Sequence, residues 1–282
     1  MHITNKILKE AIDINVASAI AEDIKNLDKT STLTSPKLNA LAEIKAKERG
    51  ILCGTPWVEK TYRKIDPKLK FTWLVKEGGV FKKNQKICMI HGNFNSLLTG
   101  ERIALNFLQT LSGTATITKT FVNKIKTTTT ILLDTRKTLP GLRIAQKYAV
   151  KIGGGMNQRL GLYDEILIKE NHIKSVGSIE KILQKINTNQ KISNYQVEVE
   201  NLKQLQLAIK LGARNILLDN FSISSTKKAV EINHHFAILE VSGNININNI
   251  LYYAKTGVSR ISVGAITKNI EAIDFSMIID TI

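Results

Sequence analysis

The strongest constraint on the fold is a rhythm that begins after residue 125. A short apolar run meets a polar or charged end and gives way to a helical pattern, six times over. The first three runs are Ile131-Leu132-Leu133 before Asp134-Thr135-Arg136-Lys137, Ile166-Leu167-Ile168 before Lys169-Glu170-Asn171-His172, and Gln196-Val197 before Glu198-Val199-Glu200. The last three are Ile216-Leu217-Leu218 before Asp219-Asn220, Ala237-Ile238-Leu239 before Glu240-Val241-Ser242-Gly243-Asn244, and Ile261-Ser262-Val263 before Gly264-Ala265. Helical spacings such as Leu202, Leu205, Ala208 and Ile209 lie between them. Apolar strands alternating with helices predict an α/β fold whose parallel sheet is buried on both faces. A doubly wound sheet would announce itself by a glycine-rich turn after its first strand. Here Gly153-Gly154-Gly155 follows a helical pattern without the GxGxxG spacing, and no GxxxxGK[ST] loop exists. The expectation is a (β/α) barrel with fewer than eight strands, in which functional side chains gather at the C-terminal strand ends.

The first part of the chain reads differently. Leu8, Ile12, Val16, Ile20 and Ile24 recur every four residues, which predicts an amphipathic helix, and a second short helix is expected around Leu38, Leu41 and Ile44. From Gly50 to about Leu98 short apolar runs, Phe71 to Val75 and Ile87 to Ile90, alternate with Gly54, Gly78, Gly79 and Gly92, predicting small antiparallel strands. A long helix is then expected from near Glu101 through Ile103, Leu105, Phe107, Leu108 and Leu111, with Gly113 a candidate break and Ile117, Phe121 and Val122 continuing the face, and it bridges two halves.

Glu10, Asp13, Glu22 and Asp23 interrupt the apolar positions of the N-terminus, so no signal peptide is expected. No stretch reaches the roughly 18 consecutive apolar residues of a spanning helix. Cys53 and Cys88 lack metal-ligand or disulfide spacing. A cytoplasmic protein with no membrane partner follows. The net charge is +16, but 32 of the 40 basic residues are Lys in a chain also rich in Asn and Ile, so residue-usage bias explains much of it. A nucleic-acid module finds no support in zinc-finger spacing, an RNP-like motif or a basic helix, and no specific nucleic-acid partner is expected.

Arginine is scarce, yet Arg102, Arg136 and Arg159 fall at the strand ends or on the bridging helix, with Lys137 and Lys169 beside them. Arg forks match carboxylate or phosphate and Lys adds compact charge, so the set suits a substrate with several anionic groups. Glu198 and Asp219 end successive strands and could hold Mg²⁺, directly or through water, or bind sugar hydroxyls. Ser242-Gly243-Asn244 and Gly264-Ala265 end the last two strands with small residues whose backbone N–H groups suit a phosphate.

These residues resemble a family. Gly100-Glu101-Arg102 with Ala104-Leu105-Asn106, then Asp134-Thr135-Arg136-Lys137-Thr138 with Pro140-Gly141-Leu142-Arg143, closely resemble quinolinate phosphoribosyltransferase, also called nicotinate-nucleotide pyrophosphorylase (carboxylating). Lys147 to Val150, Gly153 to Gly155, Arg159 to Leu162, Ile168 to His172, Val197 to Glu200, Leu218 to Phe221 and Ser242-Gly243 continue the family's motifs in the family's order, over residues 75 to 267. The first 70 residues match loosely, with Asp28-Lys29-Thr30-Ser31-Thr32 a blurred counterpart of a family segment.

The resemblance implies an incomplete (β/α) barrel and an N-terminal α/β sandwich domain completed by the C-terminal tail, divided as residues 1–112, 113–267 and 268–282. It implies a homodimer or a larger assembly, in which Arg102 reaches the neighbouring subunit's site. The quinolinate ligands carried over are Arg136, Lys137, Arg159 and Lys169, with Arg102 across the interface. Those for phosphoribosyl diphosphate and its Mg²⁺ are Glu198, Asp219, Ser242, Gly243, Asn244, Gly264 and Ala265, and the catalytic set is Lys137, Lys169, Glu198 and Asp219. One position departs: the family's usual Asn-His-Arg is Asn157-Gln158-Arg159 here, which keeps a hydrogen-bond donor and loses a possible charge. Rival activities on the same fold are a nicotinate-specific transferase and the molybdenum-locus paralogues. The complete Arg and Lys set favours the dicarboxylate.

Overall fold

The structure is a computed structural model and describes residues 3–25, 27–188 and 194–282. Helix α1 (Asn5–Asp23) is capped by the Thr4 hydroxyl, which accepts from Ile7 N at 3.3 Å. A 3-10 turn (Thr30–Leu33) leads to β1 (Asn39–Ala46), β2 (Gly50–Ile51), α2 (Thr55–Ile65), β3 (Lys70–Trp73), β4 (Val80–Phe81), β5 (Lys86–Asn93) and α3 (Phe94–Ile125). Then come β6 (Ile131–Leu133), α4 (Arg143–Ile152), β7 (Ile166–Ile168), α5 (Glu170–Val176), α6 (Ile179–Thr188), β8 (Tyr195–Val199), α7 (Leu202–Lys210) and β9 (Asn215–Asp219). The chain closes with α8 (Ile223–Asn233), β10 (Ile238–Ser242), α9 (Ile250–Ala254), β11 (Arg260–Ser262), α10 (Ala265–Lys268) and β12 (Phe275–Thr281).

All six expected barrel strands form, and they join one parallel sheet in the order β6-β11-β10-β9-β8-β7. From β11 back to β7 each neighbour is the preceding strand in sequence, and β6 lies beside β11. That is the cyclic order of a barrel opened once, between β6 and β7. A doubly wound sheet would instead reverse its order at a switch point. On the open side Met156 adds a single parallel bridge to Leu133. Val197, Val199, Ile216, Leu218, Leu239, Val241 and Ile261 are buried along the strands, and so are Gln196, Leu217, Glu240 and Ser262 at the alternate positions, as a sheet covered on both faces requires.

The chain divides into two compact units. One is built from Thr120–Lys137 and Gly155–Ala265; the other takes the chain up to Lys119, Thr138–Gly154 and Ile266–Ile282. In the second unit β1 is central to the antiparallel sheet β12-β1-β5-β3, and β12 brings the end of the chain back along it, with Ile44 opposite Met277. Val16, Trp57, Leu111 and Ala149 form a core onto which Leu8, Ile12, Ile20 and Ile24 pack, so the four-residue stripe of α1 is its packed face.

Three expectations of the N-terminal part are corrected. The segment around Leu38, Leu41 and Ile44 is strand β1, not a helix, because its buried residues alternate as Ala40, Ala42, Ile44 and Ala46 while Leu41 lies on the other face. Between Gly50 and Leu98 the strands are interrupted by α2, whose start carries Pro56 in the first turn and whose Trp57, Val58, Thr61 and Tyr62 are buried. Helix α3 begins at Phe94 and runs unbroken through Gly113. A Cβ at Gly113 would collide with the Glu271 carbonyl oxygen, so this glycine permits close approach of backbone and is no helix stop. Among the described residues no helix is long and apolar enough to cross a membrane.

Candidate active site

The end of β6 is organised by Asp134, which is fully buried. Its carboxylate accepts from Asn157 Nδ2 at 2.6 Å and from Gln158 N at 2.9 Å, and its own N donates to Met156 O at 3.1 Å. Asn157-Gln158-Arg159 is thereby stitched to the strand that delivers Arg136 and Lys137. Arg159 is 8% exposed; its Nη1 donates to Glu165 O at 3.0 Å and its buried Nε has no hydrogen-bond partner. Burial, and next the Arg136 charge, pull Arg159 below the usual guanidinium range, with Glu165, Glu198 and Asp164 acting in the opposite sense. Two guanidinium groups so placed repel each other, and an anion between them would lower that repulsion.

The ends of β7 and β8 meet through Lys169 and Glu198, whose Nζ and Oε2 are 2.7 Å apart, with the carboxylate the more buried partner. The end of β9 joins that of β10. Asn220 N donates to Ser242 O at 2.8 Å, Asn220 Nδ2 to Asp219 Oδ2 at 2.9 Å, and Asn244 Nδ2 to Asn220 Oδ1 at 3.2 Å. Gly243 sits at φ +98°, and any Cβ there would strike the Asn220 amide, so the chain turns closely over Asn220 only with glycine. Gly264 leaves room for the Lys137 stem: a Cβ on it would lie 3.0 Å from Lys137 Cδ and 3.4 Å from Thr135 Oγ1. Ala265 follows as the first residue of α10.

Arg136, Lys137, Arg159, Lys169, Glu198, Asp219, Ser242, Gly243, Asn244 and Gly264 therefore all lie at C-terminal strand ends of one sheet or on segments bound to them. Arg102 lies elsewhere in the chain, exposed on α3 in the second unit, where it lines with Glu22, Asp23 and Asn106 a cavity of about 410 Å³. Among the described residues no three His, Cys, Asp or Glu side chains gather into a metal cage. Glu198 and Asp219, at the ends of adjacent strands, fit the way Mg²⁺ is usually held, by one or two carboxylates while substrate phosphates and water complete its shell.

The sequence reading passed over a buried polar string inside this sheet. Gln158 Nε2 donates to Gln196 Oε1 at 3.3 Å, and Gln196 Nε2 donates to Glu240 Oε2 at 2.9 Å. Burial raises the Glu240 carboxyl above its ordinary range, with Ser262, Gln196 and Arg260 partly opposing. The signal was present in sequence as a polar residue inside an apolar strand, once in Tyr195–Val199 and once in Ile238–Ser242.

The family models decide the relationship. Residues 28–112 match "Quinolinate phosphoribosyl transferase, N-terminal domain" and residues 114–278 match "Quinolinate phosphoribosyl transferase, C-terminal domain". The chain belongs to the quinolinate phosphoribosyl transferase family. It is 38% identical over 262 residues to a probable nicotinate-nucleotide pyrophosphorylase [carboxylating] of Synechocystis, covering 92% of this chain and 89% of that protein. The solved structure of the nicotinate-nucleotide pyrophosphorylase from Francisella tularensis is 45% identical and superimposes with a TM-score of 0.92 over 96% of each chain. That from Ehrlichia chaffeensis is 35% identical, with a TM-score of 0.91 over 99% of this chain and 100% of the other. Family membership thus extends over both units, the loosely matching N-terminal part included.

Proposed function

We propose that this protein transfers the phosphoribosyl group of 5-phosphoribosyl 1-diphosphate to quinolinate and decarboxylates the adduct, giving nicotinate mononucleotide, diphosphate and CO₂ for NAD biosynthesis. The observation that carries the substrate is the crowding of cations at the strand ends. Arg159 is buried beside Arg136 with an unpartnered Nε, an arrangement stabilised by a bound anion with more than one carboxylate. Arg136, Lys137, Arg159 and Lys169 hold the two carboxylates and so aim the ring nitrogen at C1 of the ribose. The N–C1 bond forms as the C1–O bond breaks, and its electron pair leaves on diphosphate. Lys137 and Lys169 supply fixed positive charge where negative charge grows. The product ring nitrogen is cationic, so when the bond from C2 to its carboxylate breaks, the electron pair left on C2 is stabilised by that neighbour until C2 takes a proton.

Glu198 and Asp219 serve the ribosyl diphosphate and a Mg²⁺ that arrives with it, and such an ion neutralises diphosphate charge. Ser242-Gly243-Asn244 and Gly264-Ala265 receive the phosphate through backbone N–H groups. In this reading the protein acts in the cytoplasm as a homodimer, and the partner subunit's Arg102 completes each site. Residues 1–112 and 268–282 form the domain that presents it, and residues 113–267 the barrel.

The test is turnover of quinolinate with phosphoribosyl diphosphate and Mg²⁺, with nicotinate in parallel and Arg102→Ala and Arg136→Ala as controls. Nicotinate mononucleotide formed from quinolinate alone, and lost in both variants, is expected. Turnover of nicotinate would transfer the assignment to another acceptor. Mixing Arg102→Ala with Arg136→Ala protein should restore part of the activity if sites are shared between subunits, and a monomer in sedimentation would refute the dimer.

A further inference from the structure

We infer that Glu240 is a positioning residue for the acceptor: acting through Gln196, it holds the Gln158 amide in the orientation that the dicarboxylate site uses. The inference rests on the function proposed above and deepens it. Glu240 lies inside β10, two residues before Ser242, and it is 1% exposed; Gln196 is 4% exposed. A buried carboxyl inside an apolar sheet is unfavourable to fold around, and it makes only part of the hydrogen bonds it could: Oε2 accepts from Gln196 while Oε1 has no partner. Gln196 is likewise spent on this string, donating with Nε2 to Glu240 and accepting with Oε1 from Gln158.

The polarity of the string follows from its buried end. An ionised carboxylate only accepts, and a proton carried on Oε1 would still leave Oε2 an acceptor. With Oε2 accepting, as it does here, Gln196 turns its NH₂ toward Glu240 and its carbonyl oxygen toward residue 158. Residue 158 must in turn offer a donor. A glutamine NH₂ meets that demand, and so would an imidazole N–H, whereas a positive charge is not required by any member of the string. Gln158 is one residue from Arg159; its backbone N is held by Asp134 and its side-chain NH₂ by Gln196, so the string takes part in setting the direction of that side chain. A donor fixed there discriminates among acids by geometry, which bears on acceptor affinity and leaves the ribosyl diphosphate untouched.

The experiment is steady-state kinetics on the full-length protein with each substrate varied separately, for wild type, Glu240→Gln, Glu240→Leu, Gln158→Ala and the Gln158→Ala/Glu240→Leu double variant. Glu240→Leu removes the anchoring acceptor, so KM for quinolinate should rise about tenfold with KM for phosphoribosyl diphosphate within about twofold. Glu240→Gln keeps a carbonyl acceptor and should restore the wild-type KM. In the Gln158→Ala background Glu240→Leu should have no further effect on quinolinate, because the string has lost its end. Equal changes in both KM values, or an undiminished effect in the double variant, would overturn the proposal and leave Glu240 a structural residue. Should Glu240→Leu not fold, Gln196→Met breaks both hydrogen bonds with little change of volume and must show the same selective rise; failure of both to fold also makes the string structural. A wild-type protein that does not turn over quinolinate would overturn the function first and this inference with it, whereas an active wild type with unaffected variants would refute this inference alone.

Discussion

Replacing Arg159 by Met separates binding from folding more sharply than any other change at the site. The Met stem fills most of the volume of the Arg stem, so the loss is confined to the guanidinium. In the substrate-free protein that group makes one hydrogen bond, Nη1 to Glu165 O at 3.0 Å, worth about 1.5–3 kcal/mol with a charged donor. Against this stand a buried Nε without a partner, costing about 1–3 kcal/mol, and the repulsion from Arg136. The two sides nearly cancel, with the attraction of Glu165, Glu198 and Asp164 offsetting part of the repulsion. Stability without substrate should change by less than about 1 kcal/mol, a Tm shift of no more than about 2–4 °C for a chain of this size. With the dicarboxylate bound the balance reverses, because truncating one partner of a buried charged pair costs about 2–5 kcal/mol. Quinolinate kcat/KM should fall at least about 30-fold, and the rise in Tm produced by saturating quinolinate, or by phthalate, which has the two carboxylates and no ring nitrogen, should vanish. Scanning calorimetry with and without the acids, beside initial rates, reads both quantities. A substrate-free Tm lower by about 8 °C or more with catalysis retained would instead make Arg159 a structural residue with no part in binding the acid.

Gly113→Ala drives a methyl group into the Glu271 carbonyl and should destabilise the protein by about 1–3 kcal/mol, seen as a lower denaturation midpoint with unchanged KM values. Asp28 is held below the usual carboxylate range by the Thr99 hydroxyl at 2.8 Å, and then by Ser31 and Thr30 backbone N–H groups, against partial burial. A depressed pKa in the folded state stabilises above the unfolded-state value and is lost as pH falls through the folded one. Asp28→Asn should therefore lower Tm at pH 7, and the difference from wild type should shrink as pH falls into the acid range; a difference that does not shrink would contradict this. Burial pushes the Cys88 thiol up to about 12 and the Cys53 thiol well above its usual value, and both are free. A disulfide reagent at pH 8 should label neither thiol until denaturant is added, and rapid labelling of the native protein would show that these cores open.

The six barrel strands were legible because each is a short apolar run closed by residues of a different kind, and the proposed site sits at that junction. Lys169 and Glu198 could be read as strand-end groups, and they meet at 2.7 Å. The N-terminal sheet was harder to read, since β1 buries three alanines that carry little hydrophobic signal, and the more conspicuous Leu38, Leu41 and Ile44 fit a helical spacing. Gly113 looked like a punctuation mark because sequence does not show what packs against a residue; the neighbour that explains it is about 160 positions away, at Glu271. The string from Gln158 to Glu240 has the same cause. Its members are separated by 38 and 44 residues, and they stand on two non-adjacent strands and a loop that meet only in the folded chain.

In the proposed reaction one site couples ribosyl transfer to the loss of a single carboxylate, and isotope-labelled quinolinate follows both events at once. With ¹³C in the carboxylate on C2, phosphoribosyl diphosphate and Mg²⁺, one ¹³CO₂ and one diphosphate should be released for every unlabelled nicotinate mononucleotide formed, with no CO₂ when phosphoribosyl diphosphate is omitted. Label retained in the nucleotide, or CO₂ released without the ribosyl donor, would contradict it.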